Sequence, residues 1–331
     1  MNVFVLDVDE TLRSTGGTGN EIPRETLNLL TKFHEDGVPI VICTGQTLES
    51  VKGFAIQGLG SKISHSGNVS IVYETGIGVF TPGHGAETKQ LLYKDLDEEI
   101  QAVFTDVRSR ILSEAPEQLR NGCHLQGNEF NITMKPNFET GSDAAIEVID
   151  KALVYELDLL GDVNSRLDDT GEPDGPSVSE WTRAYYADQD PEIRSVLEQE
   201  EALPALDLAD VPAALEAILE RIDIGYYRGD AAEIGSLELS KVVGVEAAFD
   251  VLGIEDPFAM VMGDSKSDRR VMQWVQENEA GLAAAPEHAS QSVLGHVEAT
   301  DELVFDEGRA DTILRTVHAL NRFAAEAESG Y

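Results

Sequence analysis

The sequence predicts an α/β protein: a parallel sheet with helices on its faces, interrupted in the chain by a second α/β module. Three observations predict it. Short apolar, β-favouring runs at residues 3–6, 38–43 and 258–262 are each followed by a polar turn and a helical pattern, the alternation that builds parallel sheets. The pattern stops near Pro82-Gly83 and resumes near Ser240. At 331 residues and 42% hydrophobic content, the chain is long and apolar enough for two domains with substantial cores. These observations give residues 1–81 and 231–331 as one discontinuous domain and residues 82–230 as an inserted α/β module.

Each element follows from its residues. Val3, Phe4, Val5 and Leu6 read as a buried strand, and the polar, Gly-rich stretch 13–21 after Leu12 reads as a loop. Pro23 opens a helix to about residue 35, with Leu27, Leu30 and Phe33 at helical spacing and Gly37 as its stop. Residues 38–43 form the second strand, followed by Thr44-Gly45-Gln46 and another helix. Ile63 and residues 69–73 read as further strands, with a turn at Ser66-Gly67-Asn68. In the inserted module, residues 84–117 read as polar and helical, 123–126 and 130–134 as a hairpin pair, and 142–159 as a helix. The Asp-, Gly-, Pro- and Ser-rich stretch 161–179 reads as an exposed loop. Helices are expected over 191–201 and 211–221, and a strand pair over 222–227 and 231–234. Ser240 is a good N-cap for a helix over 241–252. A strand at 258–262, a helix from about Arg269, a short strand at 281–284 and an amphipathic helix over 311–325 close the chain.

Charge narrows the function classes. The formal net charge is −37, from 61 acidic and 24 basic residues, nine of them lysines. That balance opposes binding to nucleic acid, which needs a basic footprint, and to anionic membranes. The acid is spread along the whole chain. It reads as surface solvation suited to a salt-rich cytoplasm, where screening relieves self-repulsion; equal stability with and without molar KCl would count against this. The two cysteines, Cys43 and Cys123, have no metal-ligand spacing and make no disulfide framework. No apolar run approaches the ~18 residues of a membrane span, and the first residues lack the basic region of a signal peptide. The expected location is cytoplasmic.

The chemistry gathers at strand ends. Asp7 and Asp9 follow the first strand, Thr44 the second, and Asp264 the strand 258–262. Burying carboxylates costs several kcal/mol unless a cation or hydrogen bonds compensate. A hard divalent cation such as Mg²⁺ would compensate, since it takes oxygen ligands. Ligands of open parallel sheets sit outside the carboxyl ends of the strands. If these strands are neighbours, three carboxylates, a hydroxyl and glycine-flanked amides converge, and Lys241, opening a helix, can join them. The set suits phosphoryl transfer: a cation and donors for the phosphate oxygens, a carboxylate nucleophile, and a second carboxylate as general acid and base.

Asp7-Val8-Asp9-Glu10-Thr11, Thr44, Lys241 and Gly263-Asp264-Ser265-Lys266-Ser267-Asp268 resemble, in order and spacing, the four motifs of the haloacid dehalogenase-like (HAD) phosphohydrolases. The resemblance covers the discontinuous domain, about half the chain. It implies a Rossmann-like core, and the size and position of the insert resemble the large α/β cap of the Cof-type (IIB) branch, which includes sugar-phosphate and phosphoglycolate phosphatases and phosphomannomutases. The resemblance implies Asp7 as nucleophile and Mg²⁺ ligand. It implies Asp9 as general acid/base, with its backbone carbonyl on the metal. Thr44, Gly45 and Lys241 would hold the phosphoryl oxygens, and Asp264 and Asp268 would be the further metal ligands. Ser66-Gly67 stands where relatives often carry Asn-Gly. The implied activity is a Mg²⁺-dependent phosphatase acting on a small phosphorylated metabolite. Its alternatives are a phosphomutase on the same core and a weakly active module that binds phosphorylated ligands. In the insert, Arg120, Asn131 and Lys135 belong to the most polar strand-borne cluster and are candidate substrate contacts. His65 and Lys266 read as structural and solvated, respectively.

Overall fold

A computed structural model describes residues 1–13, 22–83, 88–165 and 176–329. The chain divides into two compact units, residues 1–92 with 239–331, and residues 93–238. The boundaries expected from the sequence therefore move by about ten residues at each crossing: 82–92 belong with the discontinuous unit and 231–238 with the inserted one.

The first segment of the discontinuous unit runs β1 (Val3–Leu6), α1 (Arg24–Glu35), β2 (Ile40–Cys43), α2 (Leu48–Leu59), α3 (Ser61–Ser64), β3 (Val69–Tyr73), β4 (Gly78–Thr81) and β5 (Thr88–Leu91). The inserted unit follows with α4 (Glu98–Glu114), α5 (Glu117–Gly122), β6 (Cys123–Leu125), β7 (Ile132–Pro136), α6 (Asp143–Asn164), α7 (Val178–Gln189), α8 (Pro191–Gln199), α9 (Ala213–Leu219), β8 (Ile222–Tyr227) and β9 (Ala231–Ser236). The chain then returns with α10 (Lys241–Leu252), β10 (Ala259–Met262), α11 (Lys266–Glu277), β11 (Gly281–Pro286), α12 (Gln291–Ala299), β12 (Leu303–Phe305) and α13 (Ala310–Ser329). No helix among the described residues is long and apolar enough to cross a membrane.

The described strands of the first unit form one sheet in the order β12-β11-β10-β1-β2-β3-β4-β5. It is parallel from β12 to β3, and β4 and β5 add antiparallel. Period-two alternation sends Phe4, Leu6, Ile40, Ile42 and Ile71 to one face, where Leu30 and Phe33 of α1 and Leu314 and Val317 of α13 cover them. Val3, Val5, Val41, Cys43 and Val72 face the other side, under Val245 and Phe249 of α10 and Val271 and Val275 of α11. Strands buried on both faces are mostly apolar, which is why they read as near-continuous runs; Ser70 in β3 is buried because its hydroxyl bonds that of Thr81 on β4 at 2.7 Å.

Two expected elements fail here. Ile63 lies in α3, because Gly60, at φ 78°, turns the chain into a short helix closed by Ile63 and Ser64 bonding back to its carbonyl. Within the expected helix 84–117, residues 88–91 are the edge strand β5, paired with β4, and the helix begins only at Glu98 after the cap Asp97; residues 84–87 lie outside the described residues.

In the inserted unit the strand order is β6-β7-β9-β8, all antiparallel. The helix α6 packs on this sheet through a stripe at i, i+3 and i+4 spacing: Ala145, Ile149, Ala152, Leu153 and Leu160. The expected loop 161–179 is shorter than its composition suggests. Residues 161–164 finish α6, and α7 starts at Val178 behind a Ser177–Glu180 capping box; 166–175 lie outside the described residues.

One residue breaks the stripe. Glu156 is fully buried in α6, and neither carboxyl oxygen has a hydrogen-bond partner among the described residues. Burial pushes its pKa well above the usual 4.5, and the Glu233 charge adds to the shift. Glu156→Leu is expected to stabilise the protein by about 1–3 kcal/mol at pH 7, since an unpartnered buried polar group costs about that much. The gap should depend on pH. Below 4.5 both folded and unfolded states carry a neutral carboxyl; above it the unfolded state ionises first, so the wild type loses stability as pH rises toward the folded pKa. Urea unfolding between pH 4.5 and 8 checks this; a destabilised variant, or a gap that does not widen with pH, would sink it.

Candidate active site

The sheet order makes β10, β1 and β2 neighbours, with Leu6 in register with Met262 on one side and Ile42 on the other. Their carboxyl ends therefore deliver Asp7, Thr44 and the 263–268 loop to one place. At the centre is Lys241, 2% exposed at the first position of α10. Its Nζ donates to Asp7 Oδ1 at 2.8 Å and to Asp268 Oδ1 at 2.6 Å. Burial alone would lower the Lys241 pKa, but the Asp268 and Asp7 carboxylates outweigh it and raise it well above its usual range.

Local sequence fixes each partner. Ser240 caps α10, its Oγ accepting from Val243 N at 3.4 Å. Gly76, at φ 103°, lies so close that a Cβ there would stand 2.0 Å from the Ser240 carbonyl oxygen. The turn Glu74–Gly76 thus packs directly on the helix end that carries Lys241. Asp268 belongs to a capping box at the start of α11, its Oδ2 accepting from Ser265 N at 3.1 Å and from Ser265 Oγ at 2.6 Å. A Cβ on Gly263 would come within 2.4 Å of Asp268, so only glycine leaves room for that carboxylate.

Asp7, Asp264 and Asp268 each bring a carboxylate oxygen to within 4.8 Å of the others. Burial pushes the Asp7 pKa well up, Lys241 opposes it, and Asp268 and Asp264 push it further. Asp264 is raised to about 6, by burial and then by Asp268. Three crowded, desolvated carboxylates with one ammonium between two of them are short of positive charge. An all-oxygen donor set of this kind fits a hard divalent cation. Cys43 lies against the same cluster, and burial raises its thiol pKa far above its usual range, which leaves it a neutral, unreactive side chain.

Asp9 is placed differently from Asp7. Its Oδ1 accepts from Arg13 Nε at 2.9 Å and Nη2 at 2.8 Å, and its Oδ2 accepts from Gln46 Nε2. Thr44 is buried, its Oγ accepts from Gln46 N at 3.1 Å and its carbonyl from Thr75 N at 3.1 Å. Gly45 is exposed beside it, and a Cβ there would stand 3.5 Å from Thr75 Oγ1.

The structure thus brings Asp7, Asp264, Asp268 and Lys241 into one cluster and sets Thr44, Gly45 and Asp9 on the adjoining loops. Sequence reading missed Arg13 and Gln46, although Arg13 stands four residues from Asp9 and Gln46 two from Thr44. It also missed the turn Glu74–Gly76, where Glu74 and Thr75 take positive φ of 46° and 57°. Such strained backbone persists where surroundings hold it, commonly at functional sites. The Ser66-Gly67 turn precedes β3, at the end of the strand away from the cluster. His65 is exposed and bonds Ser64 Oγ at 3.0 Å.

Of the candidates in the inserted unit, Arg120 is exposed in the last turn of α5, not on a strand. Asn131 is buried just before β7, and Lys135 pairs with Asp230 at 2.7 Å.

Residues 4–148 match the family model described as haloacid dehalogenase-like hydrolase. That match takes in the strand ends carrying Asp7, Asp9 and Thr44, and the chain is similar to that family over this part of its length. No curated protein matches the sequence. The fold is similar to that of a HAD subclass IIB sugar phosphatase (TM-score 0.52, 17% identity, 97% of this chain and 99% of that one). It is also similar to a phosphatase of the haloalkanoate (HAD) superfamily from Bacteroides thetaiotaomicron (TM-score 0.53, 16% identity, 97% and 95%) and a haloacid dehalogenase-like hydrolase from the same organism (TM-score 0.50, 12% identity, 96% and 99%).

Proposed function

We propose that this protein is a Mg²⁺-dependent phosphomonoesterase acting on a small phosphorylated metabolite through an aspartyl-phosphate on Asp7. The observation that carries the reading is the buried Asp7–Lys241–Asp268 arrangement with Asp264 beside it. Mg²⁺ held by Asp7, Asp264 and Asp268 would offset the charge of the phosphate oxygens. Lys241, Thr44 and the amide of Gly45 supply further positive charge and hydrogen-bond donors for those oxygens.

The second Asp7 oxygen attacks phosphorus, and the bond from phosphorus to the ester oxygen breaks. Asp9 gives its proton to that leaving oxygen. It then takes a proton from water, which attacks the acyl phosphate and releases inorganic phosphate with Asp7 regenerated. Arg13 and Gln46 orient the Asp9 carboxylate for both transfers. The inserted unit serves as the cap that selects the leaving group, and the location follows the cytoplasmic expectation.

A phosphate-release screen over small phosphorylated metabolites tests the reading. Release is expected with Mg²⁺, to be lost in EDTA and restored by excess Mg²⁺. An isomeric product without phosphate release would make the protein a mutase. No turnover of any ester by the folded protein would overturn the enzyme reading in favour of a phospho-ligand sensor.

A further inference from the structure

A further strand end of the discontinuous unit reaches the acidic cluster. β11 runs parallel to β10, with Ala284 opposite Met262. The turn after it, Pro286–Ala289, therefore comes out on the same side of the sheet as Asp7 and the 263–268 loop. Ala289 N donates to the Pro286 carbonyl at 2.9 Å and closes the turn, and Ser290 N donates to the Asp264 carbonyl at 2.9 Å. The turn is thus tied to the backbone of a proposed metal ligand. His288 reaches out from it, and its Nε2 stands 3.4 Å from Glu10 Oε2, within ion-pair distance. His288 is also in electrostatic reach of Asp264: burial and Asp268 raise the Asp264 pKa, and the His288 charge is among the groups that oppose the rise.

Glu10 is the strained residue of the turn that follows β1. It stands at φ 54°, directly after Asp9. Left-handed backbone crowds a Cβ against the next carbonyl oxygen, and only glycine adopts it freely. The ends of the turn are fixed. Val8 and Leu12 are buried in the core, and Leu12 N and Arg13 N both donate to the Val8 carbonyl at 3.1 Å. A side chain kept in this backbone region needs surroundings that hold it there, and such residues gather at functional sites. His288 is one group that holds it, and it does so from the far end of the chain. The Asp9 carboxylate is braced separately, by Arg13 and Gln46. Side chain and backbone of Asp9 are therefore held from different directions.

We propose that His288 is a positioning residue: through Glu10 it holds the strained turn 8–13 in the conformation that presents the Asp9 carboxylate, and through Ser290 its own turn locks that conformation to the Asp264 loop. Proton transfer needs Asp9 within hydrogen-bond reach of the reacting oxygen, so the rate depends on where the turn holds it. The effect on rate rests on the phosphatase reading; the brace itself does not. Both side chains of the pair are 29% exposed, so removing the imidazole opens no core cavity, and the loss falls on turnover rather than on folding. Strain makes the brace separable from a general structural role. Glycine at position 10 adopts positive φ without penalty, so the turn then holds without His288. Alanine keeps the steric conflict of glutamate and lacks the partner.

The experiment has two arms on the full chain, with folding checked by Tm. It compares the wild type, His288→Ala, and His288→Ala combined with Glu10→Gly or with Glu10→Ala. In the first arm, kcat and KM are measured with p-nitrophenyl phosphate and Mg²⁺. His288→Ala is expected to lower kcat by about tenfold and to leave KM near the wild-type value, since a 1 Å misplacement of a reacting group costs as much as about 100-fold. Glu10→Gly in the His288→Ala background should recover most of the loss, and Glu10→Ala none of it. An unchanged kcat in His288→Ala, a change in KM alone, failure of Glu10→Gly to rescue, or equal rescue by glycine and alanine overturns the proposal. The second arm needs no turnover. Hydrogen exchange read by mass spectrometry on peptides spanning 8–13 follows the amides of Leu12 and Arg13. They should exchange about tenfold faster in His288→Ala, as the turn opens locally more often, and return toward the wild-type rate with Glu10→Gly. Unchanged exchange in His288→Ala overturns the brace. If the wild type turns over no ester, the phosphatase reading fails, and the exchange arm alone decides whether His288 holds the turn.

Discussion

Asp7→Asn is expected to abolish phosphate release, by about 10⁴-fold or more in kcat, the scale on which enzymes lose rate when their nucleophile is removed. An amide is a poor nucleophile, and no neighbouring group can replace it. Asp9 is held by Arg13 and Gln46, Asp268 by Ser265 and Lys241, and Cys43 is kept neutral by burial. The fold should survive. Burial and the charges of Asp268 and Asp264 already disfavour an ionised Asp7, and asparagine keeps its shape without the like charge. Lys241 keeps Asp268 as its partner, so it is not left bare. Equal or raised Tm together with lost turnover is the expected pair of results. Appreciable activity in the folded variant would remove Asp7 from the nucleophile role.

The three central strands and the residues at their ends were legible because β1, β2 and β10 are buried throughout and carry no polar residue, since an unbonded polar group there would be costly, so the first polar residue after each run marks the strand's end. Asp7, Thr44 and Asp264 were found this way. Their adjacency was not legible, because pairing β10 with β1 joins residues 3 and 259, and nothing local encodes that separation. The edge strand β5, Thr-Lys-Gln-Leu, has no strand signature, since an edge residue need not be apolar and its conformation comes from its pairing with β4. Arg120 looked strand-borne because α5 is only six residues long, too short to show a helical period. The braces of Asp9 were hidden for another reason. Arg13 and Gln46 are ordinary surface residue types; Arg13 stands four residues from Asp9, and only the fold brings Gln46 to that carboxylate across 37 residues of chain.

Lys241→Met should be among the most destabilising single changes in the discontinuous unit. Breaking a buried pair by removing one partner costs about 3–5 kcal/mol, because the other charge stays desolvated. Here two carboxylates, Asp7 and Asp268, both under 10% exposed, would face each other with Asp264 nearby. Methionine fills the channel of the lysine stem, so lost packing contributes little and the deficit is mainly electrostatic. Three features should identify it. The deficit should be largest in EDTA and shrink with Mg²⁺, since a dication bound by the folded state alone offsets the excess negative charge and adds binding free energy. It should narrow as pH falls, because carboxylates whose folded pKa is raised become neutral and their contribution is fully regained below the unfolded pKa. And Asp7→Asn in the Lys241→Met background should recover part of the loss, so the two changes are not additive. Turnover should fall by about 10²–10³-fold, as when one preorganised donor to the reacting oxygens is removed. Chemical unfolding of the four proteins of this cycle, with EDTA and with Mg²⁺ and at several pH values, measures all three. A variant as stable as the wild type in EDTA, or additive effects, would mean that Lys241 does not neutralise the acidic cluster, and the charge balance on which the proposed Mg²⁺ site rests would have to be assigned elsewhere.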